Sequence, residues 1–239
     1  VLAVPGGREL NQEELRLLDT LAEMTGNALH RTHLLTETQR RLENLQALRE
    51  VDRVIASSFD LRLILNTVLS HTLTQLGVDA ADVLALDPAL QTLEYAAGFG
   101  FHTRGIERAA LRLGEGHAGR AALERQTVRV PNLLETGSDF RRASLLADEH
   151  FLEYCGVPLL SKGEVKGVLE VFHRSPLSPQ PEWLELLETL AGQAAIAIDN
   201  SQLFENLQHS NLELAVAYEA TIEGWSRAME LRDQETEGH

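Results

Sequence analysis

Two residues at the end of the chain are metal-ligand types at helical spacing. Glu235 and His239 stand four residues apart. On a helix that spacing puts both on one face, about 5–6 Å apart at Cβ. A carboxylate and an imidazole so placed can share one metal ion. Two ligands do not make a site, because transition metals take three or four from the protein. For this chain by itself the expectation is therefore no bound metal, no cofactor and no catalytic residue. Cys155 is the single cysteine. It excludes an intrachain disulfide and points to a reducing compartment, hence a cytoplasmic location. Its expected role is a buried apolar thiol at the start of a strand. His150 lies in a polar stretch, where a solvated loop histidine is commoner than a haem ligand. From Arg104 to Arg142, eight arginines stand against five acids in a chain of net charge −15. That contrast favours an anionic ligand. The alternative is that these arginines occupy the solvated faces of helices and loops.

The charge of −15 argues against nucleic acid, whose binders carry basic surfaces, and against anionic membranes. No apolar run approaches the roughly 18 residues needed to span a bilayer. The 44% hydrophobic content supports a real core, and 239 residues correspond to one or two domains.

A repeat organises the elements. Val1-Leu2-Ala3-Val4 matches Val168-Leu169-Glu170-Val171, and Leu17–Ala22 matches Leu186–Ala191. Both copies read as a strand, a loop and an amphipathic helix. The chain is thus expected to start inside one domain and to hold a second of the same kind. Asn11–Glu14 reads as a capping box, and the helical pattern after it runs without proline to about Ser57. Asp60 caps a second helix with Leu61, Ile64, Leu65, Val68, Leu69 and Leu73 on one face, and Gly77 is its C′ residue. Short apolar or alternating strands follow at Val83–Leu86, Leu93–Ala97, Leu111–Leu113 and Val128–Val130, with a short helix at Ala118–Arg125. Leu133–Glu153 reads as part loop, part helix. Gly156–Leu160 and Val165–Phe172 form a hairpin, and Pro181 opens the closing helix. Ile196, Asn200, Leu203, Leu207, Ser210, Leu214, Ala217, Thr221, Gly224, Ala228 and Leu231 then alternate four and three apart, a coiled-coil seam. Strands and a hairpin between long helices predict an α+β fold with an antiparallel sheet.

Residues 45–204 resemble a GAF domain, a small-molecule-sensing module of signalling proteins. The resemblance rests on Leu113-Gly114-Glu115-Gly116 with Gly119 and Ala122, then Val130-Pro131-Asn132 and Gly156–Leu160. Gly167–Val171 and Leu186–Asp199 complete it. It implies helices packed on one face of the sheet and a ligand pocket on the other. Residues 1–35 are similar to the end of a preceding GAF domain, and 36–57 form a linker helix. The pocket implied by the resemblance and the arginine-rich stretch lies near Phe99, Phe101, His117, Arg120, Asn132 and Phe140. His117 stands where the family often has an apolar residue. The family's cyclic-nucleotide motif is matched only in part, by Asn132, Phe140 and Asp148-Glu149.

Residues 205–220 form a coiled-coil linker. The tail 217–239 resembles the opening of an HD-GYP domain, carried by Thr221–Asp233 and by Glu235-Thr236-Glu237-Gly238-His239. That family hydrolyses cyclic di-GMP with two or three metal ions, divalent Fe or Mn. Glu235 and His239 match two of its ligands. None of the nine histidines is followed by Asp, so its catalytic core is not in this chain. The resemblance implies a bacterial sensory module, homodimeric through its flanking helices, that binds an unknown small ligand and controls a phosphodiesterase. A histidine-kinase sensor and a dimerisation module without a ligand are the alternatives.

Overall fold

A computed structural model describes residues 12–57, 60–135, 142–177 and 179–237. The Val1–Val4 strand of the repeat, Asn11, Phe140 and His239 lie outside the described residues. The chain divides into two units, Val1–Arg49 and Glu50–His239. The first is occupied by helix α1 (Gln12–Ser57), which continues into the second. Leu17, Leu21, Met24, Leu29 and Leu35 of α1 are exposed. Thr20, Thr25, Thr32, Thr36 and Thr38 each bond back to the carbonyl four residues earlier. Their hydroxyls are thereby satisfied locally without breaking the helix.

The second unit builds a sheet between helices. Asp60 caps α2 (Leu61–Leu76) by accepting from the Leu63 amide at 3.2 Å, and Gly77 closes it in the left-handed conformation. Six strands follow: β1 (Ala80–Asp87), β2 (Thr92–Phe99), β3 (Ala110–Arg112), β4 (Val128–Val130), β5 (Glu153–Ser161) and β6 (Glu164–His173). Helix α3 (Gly116–Glu124) lies between β3 and β4, and α4 (Pro181–Glu237) follows β6. The sheet order is β3-β2-β1-β6-β5-β4, with every neighbour antiparallel. One-turn 3-10 helices occupy parts of the connections at Gly105–Arg108, Leu133–Glu135, Ala143–Leu145 and Ala147–Glu149.

Strand periodicity sorts the side chains onto two faces. Ala81 and Val83 of β1, Leu169 and Val171 of β6, and Cys155, Val157 and Leu159 of β5 are buried. They share the face on which α2 and α4 pack. Ala80, Leu84, Val168, Phe172 and Tyr154 point the other way. They join Ala118, Ala121 and Ala122 of α3 and Ile106, Leu146 and Phe151 of the loops in one apolar cluster. Full burial of Leu84 or Phe172 contributes about 1.5–3 kcal/mol each. The fold is therefore α+β, with α2 and α4 on one face as expected. The opposite face is a second core roofed by α3 and loops. Cys155 is buried as expected, and burial pushes its thiol up to about 12.

Candidate functional site

The roofed face carries a row of charge inside apolar surroundings. Gly98, Asp82, Glu170 and Gly156 are successive cross-strand partners on β2, β1, β6 and β5. The two carboxylic acids are fully buried. Arg142, at the start of the turn before Ala143–Leu145, is buried with them. Its Nη2 donates to Glu170 Oε1, and its Nη1 lies 3.8 Å from Asp82 Oδ2. Burial raises the Asp82 carboxyl well above the usual range, and the Glu170 charge adds to it, with Arg142 opposing. Burial alone would lower the Arg142 pKa, but Glu170 and Asp82 more than offset it, and the guanidinium stays charged.

Two glycines make room for tyrosines at the ends of this row. A Cβ on Gly156 would stand 2.3 Å from the Tyr154 hydroxyl. One on Gly98 would stand 2.9 Å from the Tyr95 hydroxyl and 3.2 Å from Asp82 Cβ. Both tyrosines thus lie over glycine beside the acids. Burial and then the Glu170 charge raise the Tyr154 pKa, and burial and then Asp82 raise that of Tyr95.

Beside Tyr95 opens a cleft of about 310 Å³. Its lining includes Tyr95, Gly98, Phe99, Phe101, Thr103 and Ile106. A latch holds its wall. The Glu149 carboxylate accepts from the His102 amide at 2.8 Å, the Thr103 amide at 2.7 Å and the Thr103 hydroxyl at 3.0 Å. Arg174 Nη2 donates to it at 2.8 Å, while the guanidinium stacks 4.6 Å from the Phe151 ring centroid. Burial would raise the Glu149 pKa, but these donors more than offset it, and the net direction is down. Its contribution is therefore present above the unfolded glutamate pKa of about 4.3 and is lost as pH falls through the lower folded value. Glu149→Gln keeps the shape and removes the charge. It is expected to cost about 2–3 kcal/mol in urea unfolding at pH 7, since hydrogen bonds to a charged group contribute about 1.5–3 kcal/mol. The gap between variant and parent should narrow toward pH 3. An equal gap at both pH values would show that the charge is not what the latch uses.

The residues expected to line a pocket are distributed as follows. Phe99 and Phe101 line the cleft together. Phe101 also meets Phe172 edge-on, with ring centroids 5.6 Å apart. His117 is buried on α3, its ring 5.5 Å from that of Tyr154, on the far side of the acidic row from the cleft. Arg120 is exposed on α3, and Asn132 donates to Glu135 at 2.7 Å. His150 is exposed. Glu235 falls in the last turn of α4. No group of three or more His, Cys, Asp or Glu able to hold a metal occurs among the described residues.

Sequence reading does not find Asp82, Glu170 and Arg142. The signal was a single acid inside each of two apolar strands, Ala80–Leu86 and Gly167–Val171, at a position that period 2 assigns to the α3 face. Arg142 carries no such signal, since it is one of eight arginines in its stretch.

The GAF domain family matches residues 60–198. This chain belongs to the GAF domain family. The match spans α2 through the buried part of α4, and so covers the acidic row, the cleft and the latch. GAF domains are sensory and regulatory modules. Among solved structures, the GAF domain of an Acinetobacter phosphoenolpyruvate-protein phosphotransferase is 23% identical. It covers 69% of this chain and 98% of its own, with a TM-score of 0.58. The corresponding domain from Coxiella burnetii is 19% identical over 69% of this chain and 98% of its own, with a TM-score of 0.61. A GAF domain of A. aeolicus solved in an inactive state is 19% identical over 67% of this chain and 98% of its own, with a TM-score of 0.55. At these identities the likeness is one of fold. Comparison with curated proteins returns no match.

A polar cluster ties the β5–β6 hairpin of the GAF sheet to α4. Lys162 and Lys166, at the β5–β6 hairpin, each place Nζ 2.9 Å from the Asp199 carboxylate. The Ser161 hydroxyl donates to it at 3.2 Å. Hydrogen bonds from Lys166 and then Lys162 hold the Asp199 carboxyl down at about 2. Ala194, Ala195, Ala197 and Ile198 just before it are buried, whereas Leu203, Leu207 and Leu214 beyond it are exposed. Asp199 thus marks where α4 leaves the sheet. No helix among the described residues is long and apolar enough to cross a membrane.

Proposed function

We propose that this GAF domain senses a small molecule and controls a cyclic di-GMP phosphodiesterase domain of the HD-GYP type through α4. The supporting observation is the continuity of α4. One helix begins against α2, where Trp183 Nε1 donates to the Leu76 carbonyl at 2.9 Å, and runs on to Glu237. It therefore carries the Thr221–Asp233 motif on the same rod that the β5–β6 hairpin grips at Asp199. A ligand that shifts the sheet's α3 side would reach that rod through the Lys162–Asp199–Lys166 tie. Packed interfaces convert small shifts into discrete ones.

In this reading Phe99 and Phe101 contact the ligand. His117, Arg120, Asn132 and Phe140 complete the set implied by the resemblance. The working unit is a parallel homodimer through the exposed seam of α4, in the bacterial cytoplasm. Glu235 and His239 supply two ligands of a metal centre, Fe or Mn, whose other ligands belong to the rest of the output domain. When bound, such a centre would polarise the phosphodiester and activate water.

Activity and metal content test this. The 239-residue chain by itself should not hydrolyse cyclic di-GMP, and a protein carrying the whole output domain should. There His239→Ala should remove most activity and lower bound metal. Turnover by this chain alone, or a His239→Ala protein with unchanged rate and metal, would sink the reading.

A further inference from the structure

We propose that Asp82 and Glu170 hold one exchangeable proton between them, and that losing it as pH rises pulls the Arg142 turn and shifts the wall of the cleft beside Tyr95. The device needs no ligand, so it stands or falls apart from the sensory reading. Its basis is the bond between the two acids. They are direct cross-strand partners, both fully buried, and their carboxyl groups meet in a side-chain hydrogen bond. Ionised carboxylates only accept, so that bond contains a proton. The neighbours decide which acid carries it. Glu170 accepts from Arg142 Nη2 and from the Tyr154 hydroxyl, and both donors favour its charged form. Arg142 Nη1 stands 3.8 Å from Asp82 Oδ2, beyond hydrogen-bond reach. Asp82 is therefore the acid and donates to Glu170. One carboxylate then faces one guanidinium, and the row is neutral.

Release of the proton leaves two carboxylates and one guanidinium, a net negative charge in an apolar interior. The strands cannot part to relieve it. β1 pairs with β6 from Ala80 to Ala85 at the centre of the sheet. Arg142 is the member that can move, because it sits on a turn. Its fork of N–H donors would slide from Glu170 to bridge both acids. The turn moves with it, since the Leu145 amide donates to the Arg142 carbonyl at 2.9 Å. The Leu145 carbonyl in turn abuts Gly105, where a Cβ would stand only 2.3 Å from that oxygen. Gly105 opens the one-turn helix whose Ile106 and Glu107 line the cleft. Close packing transmits such a shift.

The groups facing Asp82 are Glu170 from β6, Arg142 from the turn, Tyr95 from β2 and Tyr154 from β5. His117 of α3 lies behind Tyr154. Burial, then the Glu170 charge, raises the Asp82 carboxyl. The native state thus binds the proton more tightly than the unfolded chain. The folding constant should fall about tenfold per pH unit from about pH 3.9 up to the folded value.

The test uses the ligand-free 239-residue chain with carbon-13 in its aspartates. At about pH 6, exposed acids are ionised. An infrared C=O band of a protonated carboxylic acid that shifts with the label therefore reports Asp82. It should be present there and fade as pH rises while the chain stays folded. Amide resonances of Leu145, Gly105 and Ile106 should move with the same midpoint. Asp82→Asn keeps an N–H donor toward Glu170 and cannot ionise, so it should lack both the band and that titration. Absence of the band at about pH 6, or a band that persists until the chain unfolds, would overturn the proposal. So would loop resonances that titrate unchanged in Asp82→Asn. Should that variant fail to fold, the unaltered chain decides: matching midpoints for band and loop support the switch, and separate ones refute it.

Discussion

Replacing Arg142 with Met should cost about 3–5 kcal/mol of folding stability, the expected effect of breaking a buried ion pair from one side. Methionine fills much of the arginine stem's volume, so the loss reports charge rather than a cavity. Without the guanidinium, Glu170 keeps its burial and loses the partner on Oε1. Asp82 loses its only counter-charge in the row. At roughly 2–4 °C per kcal/mol for a domain of this size, the melting temperature should fall by about 10 °C. The pH dependence is diagnostic. Asp82 has a folded pKa above its unfolded value of about 3.9. The native state therefore holds an extra proton between those two values, and stability falls as pH rises through that window. Removing Arg142 leaves the acids without a cation, so the fall should steepen. Asp82→Asn is the matched control. It removes an acid whose charged form burial disfavours, and should change stability by less than about 1 kcal/mol at neutral pH. Urea unfolding across pH would settle both. Equal, small losses for Arg142→Met and Asp82→Asn would mean that the row is better solvated than its burial indicates.

The contrast between these variants shows what a linear pattern can carry. Capping at Asp60 and Gly77, the β5–β6 hairpin and Pro181 at the head of α4 are local, set by residues within a few positions of one another. They are legible because a cap or a turn is satisfied by its neighbours. The order of strands is partly legible, since GAF motifs fix it as a set. The site is different. Asp82, Arg142 and Glu170 are brought together by pairings of β1 with β6 and by a turn folded onto that face. No spacing in the chain encodes that meeting. Glu149 is similar. In sequence it belongs to the partial cyclic-nucleotide motif Asp148-Glu149. In the fold its carboxylate is occupied by His102, Thr103 and Arg174. His117, singled out because a histidine replaces an apolar residue, is instead packed against Tyr154. Residue type marked a buried position there, and only the register could say which neighbours it would have.

The proposed dimer should come apart when Leu207 and Leu214 are both replaced by Gln. Both are exposed, at 62% and 66%. They sit seven apart on a helix that the sheet has already released at Asp199. With Ile196 and Leu203 they follow alternating four and three spacing, which winds two helices about one seam. Among the described residues, Leu203, Leu207 and Leu214 of that stripe are left exposed by the second unit's own fold. In a dimer each leucine would be buried for about 1.5–3 kcal/mol, and two chains bring four. Asn200 and Ser210 weaken the seam, and Asn200 at an a position favours a parallel pair in fixed register. Loss of four leucines outweighs these terms, so the dissociation constant should rise by more than about a hundredfold. Glutamine is nearly as good a helix former as leucine, so circular dichroism should change little at concentrations where the parent dimer is already dissociated. The folded core, distant from both positions, should melt as before in the monomer. Analytical ultracentrifugation at micromolar concentration gives the outcome. A parent chain that is strictly monomeric, or a double variant that dimerises as tightly as the parent, would remove α4 as the dimer interface and with it the rod proposed to carry the signal.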